Sequence, residues 1–429
     1  MIEPVLKRDA ERASARARAP QERLDEAVGL AVAIDLEVVH FGLVMLNEIR
    51  PATYVGSGKV DEIAGIVKSL DAGIVVMDCP VSPVQQRNLE KAWNAKVLDR
   101  TGLILEIFGR RARTREGTLQ VELAHLTYQK SRLVRSWTHL ERQRGGFGFL
   151  GGPGETQLEA DRRVIEDRIA RIEAELEKVK RTRKLHRDSR KRVPYPVIAL
   201  VGYTNAGKST LFNRMTRAEV LSADMLFATL DPTLRAVDLP HGTRVILSDT
   251  VGFISDLPTM LVAAFRATLE EVIEADIILH VRDMSHEAAE AQSDDVAKVL
   301  EELGIDPKRE HRMIEVWNKI DRLDAERRAA LVNLAARQPG DEQPVPVSAI
   351  TGEGIDDLIG RIESRLAERR ETMSLTLDVA DGAGLSWLHR NAEVLKRELR
   401  EDGRIAVIVR ADPDHAGQIR AKFRDVMTG

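Results

Sequence analysis

A single cysteine, Cys79, serves 429 residues, so no intrachain disulfide can form and a reducing, intracellular setting is expected. It lies in the apolar, strand-like run Val75–Pro80 and reads as a buried residue rather than a nucleophile. Aromatic residues make up only 4% of the chain, so its cores must rest on Leu, Ile, Val and Ala. No apolar run approaches the roughly 20 residues that span a bilayer, which argues against membrane insertion. The first twenty residues are rich in Ala and Arg without a hydrophobic segment, which excludes a secretory signal. Glu3, Asp9 and Glu11 argue against a transit peptide, and a disordered basic tail over residues 1–25 is the expectation.

The remaining composition is that of a globular chain, 43% hydrophobic and 31% charged, long enough for about three domains. A net charge of −4 hides an asymmetry. Residues 110–192 carry 22 Lys/Arg against 12 Asp/Glu, a surplus of +10, so the remainder carries −14. A basic segment on an acidic protein suggests a polyanionic partner, although a merely solvated helical face would look the same.

Gly202-Tyr203-Thr204-Asn205-Ala206-Gly207-Lys208-Ser209-Thr210 follows the apolar run Val197–Val201. A strand, a glycine-bounded turn and a helix from Lys208 make a phosphate-binding P-loop. Backbone N–H groups and the positive end of a helix dipole suit a triphosphate, and glycines let the backbone approach it. Lys208 is expected to reach the β- and γ-phosphates and the Ser209 hydroxyl to ligate Mg²⁺. Asn318-Lys319-Ile320-Asp321 follows the strand-like Met313–Trp317. The Asp321 carboxylate can accept both N1–H and N2–H₂ of guanine. Adenine has no donors there and would leave a desolvated carboxylate unpaired, a cost of several kcal/mol in order of magnitude. Asn318 is expected to brace this pocket, Lys319 to cover the base, and Ser348-Ala349 to offer an N–H to guanine O6. Asp249-Thr250-Val251-Gly252 is expected to hold Mg²⁺ through water at Asp249 and to sense the γ-phosphate at the Gly252 N–H. Phe227-Ala228-Thr229-Leu230-Asp231-Pro232-Thr233 contains a threonine that closes over the nucleotide. Each element alone is weak; five in order, each beside an expected strand, specify a GTP site with Lys208, Thr229 and Gly252 as its catalytic residues.

An α/β fold with a doubly wound P-loop domain and two accessory domains is expected. Residues 26–110 alternate strands (Ala31–Val39, Gly73–Met77, Lys96–Leu98) with helices (Lys59–Leu70, Val84–Trp93). Gly56-Ser57-Gly58-Lys59 has the wrong spacing for a second P-loop and reads as a turn entering a helix. In residues 111–193, Leu119, Leu123, Leu126, Lys130, Leu133, Trp137 and Leu140, then Ile165, Ile169, Ile172, Leu176 and Val179, recur at heptad steps. Two such helices should pack as an antiparallel hairpin. Its Gly-rich tip, residues 145–154, carries Phe147, Phe149 and Leu150 beside Arg142 and Arg144. Stacking on unpaired RNA bases is one expectation, and folding back on the hairpin the other. Residues 194–370 form the expected GTP domain, with strands at Val197–Val201, Arg244–Leu247, Ile277–Val281, Ile314–Trp317 and Val345–Val347. Residues 371–429 read as a small α+β unit, with strands Leu375–Val379 and Arg404–Arg410 around a helix Ser386–Glu401 and no catalytic constellation.

Gly-Tyr-Thr-Asn-Ala-Gly-Lys-Ser-Thr, Phe-Ala-Thr-Leu-Asp-Pro-Thr, Asp-Thr-Val-Gly-Phe-Ile, Asn-Lys-Ile-Asp and the tip Gly-Gly-Phe-Gly-Phe-Leu-Gly-Gly-Pro-Gly-Glu-Thr-Gln together resemble the HflX family of translational GTPases, over nearly the whole chain. That resemblance implies a cytoplasmic GTPase, expected to be a monomer. It implies binding to the 50S ribosomal subunit and its rRNA, and a part in ribosome splitting, rescue or recycling under stress. It makes Thr229 the Mg²⁺-ligating switch threonine, with Thr233 left as an alternative. Asn205 matches a P-loop asparagine that holds K⁺ in some related GTPases. Phe253 departs from Ras-like enzymes, where a Gln in that place orients the attacking water. Slow turnover alone, raised by the ribosome, is the expectation. A GTP-gated rRNA-binding scaffold with little turnover is the competing one.

Overall fold

The computed structural model describes all residues except 9–17, 144–152, 191–194, 218–225, 228, 231, 241, 258–260, 262–268, 308–310, 341, 369–370, 401–402, 412, 425–426 and 429, and for 134–143, 153–158, 180, 183–190, 413–415 and 427–428 the backbone alone. Three sheets organise it.

The first is parallel, ordered β2-β1-β3-β4, from β1 (Ile2–Leu6), β2 (Gly42–Leu46), β3 (Ile74–Met77) and β4 (Lys96–Asp99). Residues 2–6 therefore lie within a sheet, not in a disordered tail. Ile2, Glu3 and Val5 are all buried, so this short strand shows no alternation, and the neighbouring Ala and Arg obscure it further. The strand expected at 31–39 is also absent. Helix α1 (Pro20–Val32) takes the start of that run, because Leu24, Ala27, Leu30 and Ala31 recur at helical spacing and bury one stripe. The strand comes later, at β2. Helices α2 (Ser57–Ser69) and α3 (Pro83–Trp93) pack with the sheet around Met77, Leu89 and Val97. The Gly56 region does lead into α2, with Gly56 as its N-cap.

Helix α4 (Arg100–Arg111) starts at the end of β4, capped by Asp99, whose carboxylate accepts from Gly102 N at 2.8 Å. Helices α5 (Arg115–Gln143) and α6 (Pro153–Arg190) then pack side by side, with Leu119, Ile172 and Leu176 at their seam. The tip residues Arg144, Phe147, Phe149 and Leu150 lie outside the described residues, as does the side chain of Arg142.

The second sheet runs β10-β9-β8-β5-β7-β6: β5 (Val197–Gly202), β6 (Thr233–Asp238), β7 (Arg244–Asp249), β8 (Ile277–Asp283), β9 (Met313–Asn318) and β10 (Val345–Pro346). All pairs are parallel except β6 with β7. The β6 edge strand was not expected. It occupies the stretch beginning at Thr233, which reads locally as switch loop. Helices α7 (Lys208–Thr216), α8 (Ala289–Glu302), α9 (Ala325–Ala336) and α10 (Ile355–Glu368) complete this layer.

The third sheet, β12-β13-β11-β14, is antiparallel, from β11 (Glu371–Asp378), β12 (Glu393–Leu399), β13 (Arg404–Ala411) and β14 (Met427–Thr428). The helix expected over 386–401 is shorter and earlier. Helix α11 (Gly382–Asn391) starts at the Asp381 cap and ends at the extended Ala392; residues 393–399 pair with β13 instead, through a bulge between Val394 and Lys396. Helix α12 (Pro413–Lys422) packs against the same core through Ile419.

One apolar core joins the first two layers. Leu30 and Ile34 near α1, Leu103, Ile107 and Phe108 of α4, and Val121 of α5 pack with Phe227, Leu230, Val251, Phe253 and Ile254 of the P-loop layer. Phe108 meets Phe227 edge-on, ring centroids 4.7 Å apart. The Phe108→Ala substitution is expected to destabilise the protein by about 3–5 kcal/mol, read from denaturant unfolding of the nucleotide-free chain.

Candidate functional site

Strand β5 delivers the phosphate loop. Its last residue, Gly202, lies so close to β8 that an added Cβ would stand 2.2 Å from Val281 O. Gly207 has φ +94, and a Cβ there would stand 2.2 Å from Asn318 Nδ2. Both glycines are demanded by close approach. Helix α7 begins at Lys208 directly after this turn, so its first N–H groups face the loop.

Lys208 is buried, and its ammonium donates to Gly202 O (3.1 Å) and Tyr203 O (2.8 Å). Burial pushes its pKa down to about 8; the Asp249 carboxylate opposes the shift and Lys319 adds to it. Three oxygens converge beside it. Ser209 Oγ and Thr229 Oγ1 donate to Asp249 Oδ2 at 2.7 and 3.0 Å, and the two hydroxyls lie 3.0 Å apart. Asp249 Oδ1 is buried without a hydrogen-bond partner, and burial pushes this carboxyl above its ordinary range. A buried carboxylate with one oxygen held by two hydroxyls and the other idle fits a hard, oxygen-seeking cation such as Mg²⁺. Thr233 sits in β6 with its Cα opposite Asp249, so Thr229 is the threonine at the oxygen cluster.

Gly252 closes the other side. A Cβ there would lie 3.1 Å from Lys208 Nζ and 2.9 Å from Thr204 Cγ2. The next residue, Phe253, is fully buried in the shared core; its backbone donates to Gly202 O at 3.1 Å and accepts from Thr204 N at 2.7 Å.

At the base end, Asn318 is almost wholly buried and bridges two loops. Its Nδ2 donates to Ala206 O at 2.8 Å, and its Oδ1 accepts from Ala349 N at 3.0 Å. Lys319 has φ +66 and pairs with Asp283 at 2.7 Å, its stem passing near Gly207. Exposed Asp321 accepts from Ser348 Oγ at 2.6 Å. The structure thus gathers Asn318, Lys319, Asp321, Ser348 and Ala349 at one end of the P-loop.

Several residues expected to contact the nucleotide turn their side chains elsewhere, which leaves only their backbone to face it. Phe227, Leu230 and Val251 bury their side chains in the shared core, because the first layer offers them more apolar area than a polar ligand could. Tyr203 sends its hydroxyl to Glu26 of α1. Thr204 and Ala206 are buried in the loop, Thr210 lies within α7, and Thr250 donates to Leu200 O. Ala228 and Asp231 lie outside the described residues. Asn205, with φ +59, faces a cavity of about 300 Å³ shared with Arg18, Glu26 and Gln292. Sequence reasoning missed Asp283, whose only signal is its place at the carboxyl end of β8, where ligands collect in such sheets. It also missed Glu26, Arg100 and Ser255, which have no local signal.

A triphosphate seated on this loop would restore Lys208 towards its ordinary, fully charged state. Binding above pH 8 should therefore take up protons, and at pH 6.5, where Lys208 is already charged, hardly any. Calorimetric GTP titrations in buffers of different ionisation enthalpy should show this, and Lys208→Met should remove the buffer dependence.

Comparison with known proteins agrees with this geometry. Residues 21–109 match the family model described as "GTP-binding GTPase N-terminal", 111–190 "GTP-binding GTPase Middle Region", 197–319 "50S ribosome-binding GTPase", and 333–426 "HflX C-terminal domain". The chain is 50% identical to GTPase HflX of Magnetococcus marinus over 98% of its own length and 93% of the relative's. It is 46% identical to GTPase HflX of Escherichia coli over 84% and 83%. A solved structure titled "crystal structure of SsGBP and GDP complex" aligns with a TM-score of 0.47 at 23% identity, covering 85% of this chain and 97% of that one. With its P-loop and relatives that match it nearly end to end, the chain belongs to the HflX family of GTPases.

Proposed function

We propose that this GTPase binds the 50S ribosomal subunit in its GTP state and couples hydrolysis to splitting, rescue or recycling of ribosomes under stress. The observation that carries this reading is the shared core. Both segments flanking the phosphate site, 226–230 and 251–254, are packed on α1 and α4, so a nucleotide-driven shift there must be felt by the first layer and by α5 beyond it. The description of the matched family at 197–319 and the basic surplus over residues 110–192 support a ribosomal, RNA-rich partner. Among the described residues no helix is long and apolar enough to cross a membrane.

In this reading Lys208 and the loop amides hold the phosphates, Ser209 and Thr229 ligate Mg²⁺, and Asp249 holds it through water. The ion, when bound, would neutralise charge on the β- and γ-phosphates. The Gly252 N–H would meet the γ-phosphate. Asp321 would select guanine while Ser348 orients it and Asn318 fixes the pocket to the loop. The Phe253 side chain has no hydrogen-bonding group and is walled into the core. Water must be oriented by another group: a ribosomal element, K⁺ held near Asn205, or another switch residue. Contacts to rRNA from Arg142, Arg144, Phe147 and Phe149 belong to the same proposal.

Asp321→Asn should weaken GTP binding about a hundredfold or more, since one hydrogen bond gives way to two facing donors and the other loses its charged acceptor, and should erase the preference over ATP in competition binding. Addition of 50S subunits should raise GTP turnover strongly; equal rates with and without them would contradict the coupling. The buried Phe253 also favours a second reading, a GTP-gated rRNA scaffold with little turnover. Tight 50S binding with a non-hydrolysable analogue, together with unstimulated hydrolysis, would select it.

A further inference from the structure

The segment that leaves the phosphate site after Gly252 is held at both ends. At its start, Phe253 is bonded to the loop backbone on both sides. At its end, Ser255 N donates to the Tyr203 hydroxyl at 2.8 Å, and Arg100 Nη2 donates to Ser255 O and Oγ at 3.0 and 2.9 Å. Ser255 Oγ donates in turn to Glu26 Oε1 at 2.9 Å, and Glu26 also receives Arg18, Arg100 and the Tyr203 hydroxyl. Glu26 and Arg100 side chains are only 9% and 7% exposed. The other arm of Arg100 grips buried Asp78 at 2.7 Å.

The neighbour of Arg100 in sequence, Asp99, faces the opposite way along the chain of contacts. Its carboxylate caps α4 and accepts from the Tyr128 hydroxyl and the Arg132 guanidinium, both on α5. Arg132 stacks on the Tyr128 ring at 4.3 Å. Residues 99 and 100 thus lie between the switch segment and the base of the long helical arm.

We propose that Glu26 and Arg100 are positioning residues that set the 252–255 segment for GTP hydrolysis and pass its nucleotide-dependent position, through Asp99, to Tyr128 and Arg132 of α5. A buried ion network does not stretch. Losing one partner strands a charge out of water, so the network either moves with Ser255 or breaks from it. Two such settings, biased by the γ-phosphate at Gly252, make a switch rather than a spring. This inference rests on the proposed sensing role of Gly252, yet it needs no ribosome.

Hydrogen exchange of residues 120–132 in the full chain, with Mg²⁺ and either GDP or a non-hydrolysable GTP analogue, tests it. The wild type should differ about fivefold between the two nucleotides, the low end of typical allosteric coupling. Glu26→Gln and Ser255→Ala should remove that difference while both nucleotides still bind, and Tyr128→Phe, remote from the phosphates, should diminish it. Glu26→Gln should also change kcat at unaltered KM for GTP. A residue that only stabilises the fold would lower the melting temperature and leave the nucleotide difference intact. Should Glu26→Gln not fold, Ser255→Ala and Tyr128→Phe decide. A wild type without the difference, or variants that keep it in full, would overturn the proposal. Failure to bind 50S subunits would strike the ribosomal reading and leave this result untouched.

Discussion

The arrangement of this protein depends on one apolar layer shared between the first domain and the P-loop domain. Aromatic residues are scarce, and three of the nine phenylalanines, Phe108, Phe227 and Phe253, are spent in this layer. Two of the three come from segments that border the phosphate site. Their burial stabilises the union of the domains, and it removes those side chains from any direct part in ligand chemistry. What the segment around Phe227 leaves for the ligand is backbone and one threonine hydroxyl, that of Thr229. An interface made of switch residues cannot stay indifferent to the state of the switch.

The phosphate site shows the same economy. Lys208 is buried between carbonyls, Asp249 is buried with one idle oxygen, and Asn318 is locked between two loops. In a low-dielectric pocket each of these groups is costly unless satisfied; Lys208 and Asn318 are satisfied by backbone partners, and Asp249 Oδ1 is not. Lys208 records that cost as a depressed pKa. Beside this centre lies a cluster of buried charge, Glu26, Arg100 and Asp78, paired through the Arg100 guanidinium. Such groups inside an interface are weak contributors to stability for their solvation cost, and they impose one geometry strongly.

Different parts of the molecule were legible to different degrees. The loop Gly202–Thr210, the Asn318–Asp321 turn and Asp249–Gly252 could be read because their chemistry is local: neighbouring residues supply a complete set of donors and acceptors for one ligand. The parallel strands of the P-loop layer were legible as apolar runs. β1 was not, because five residues without alternation stand next to a composition that resembles a tail. α1 and β2 were confused because Leu30 and Ala31 satisfy a strand's hydrophobicity while their spacing to Leu24 and Ala27 is helical. β12 was taken for the end of a helix, since nothing local says that residues 393–399 will find β13 as a partner.

The sequence by itself determined the guanine nucleotide and the parallel sheet that presents its phosphate loop, since these follow from spacing over a few residues and from the hydrogen-bonding pattern of guanine. Tertiary structure alone decided which threonine reaches Asp249, where Phe227 and Tyr203 turn, and that Glu26, Arg100 and Ser255 meet at all. Those contacts join residues separated by up to 229 positions. Their energy comes from burial and charge pairing that exist only once the two domains have closed on each other.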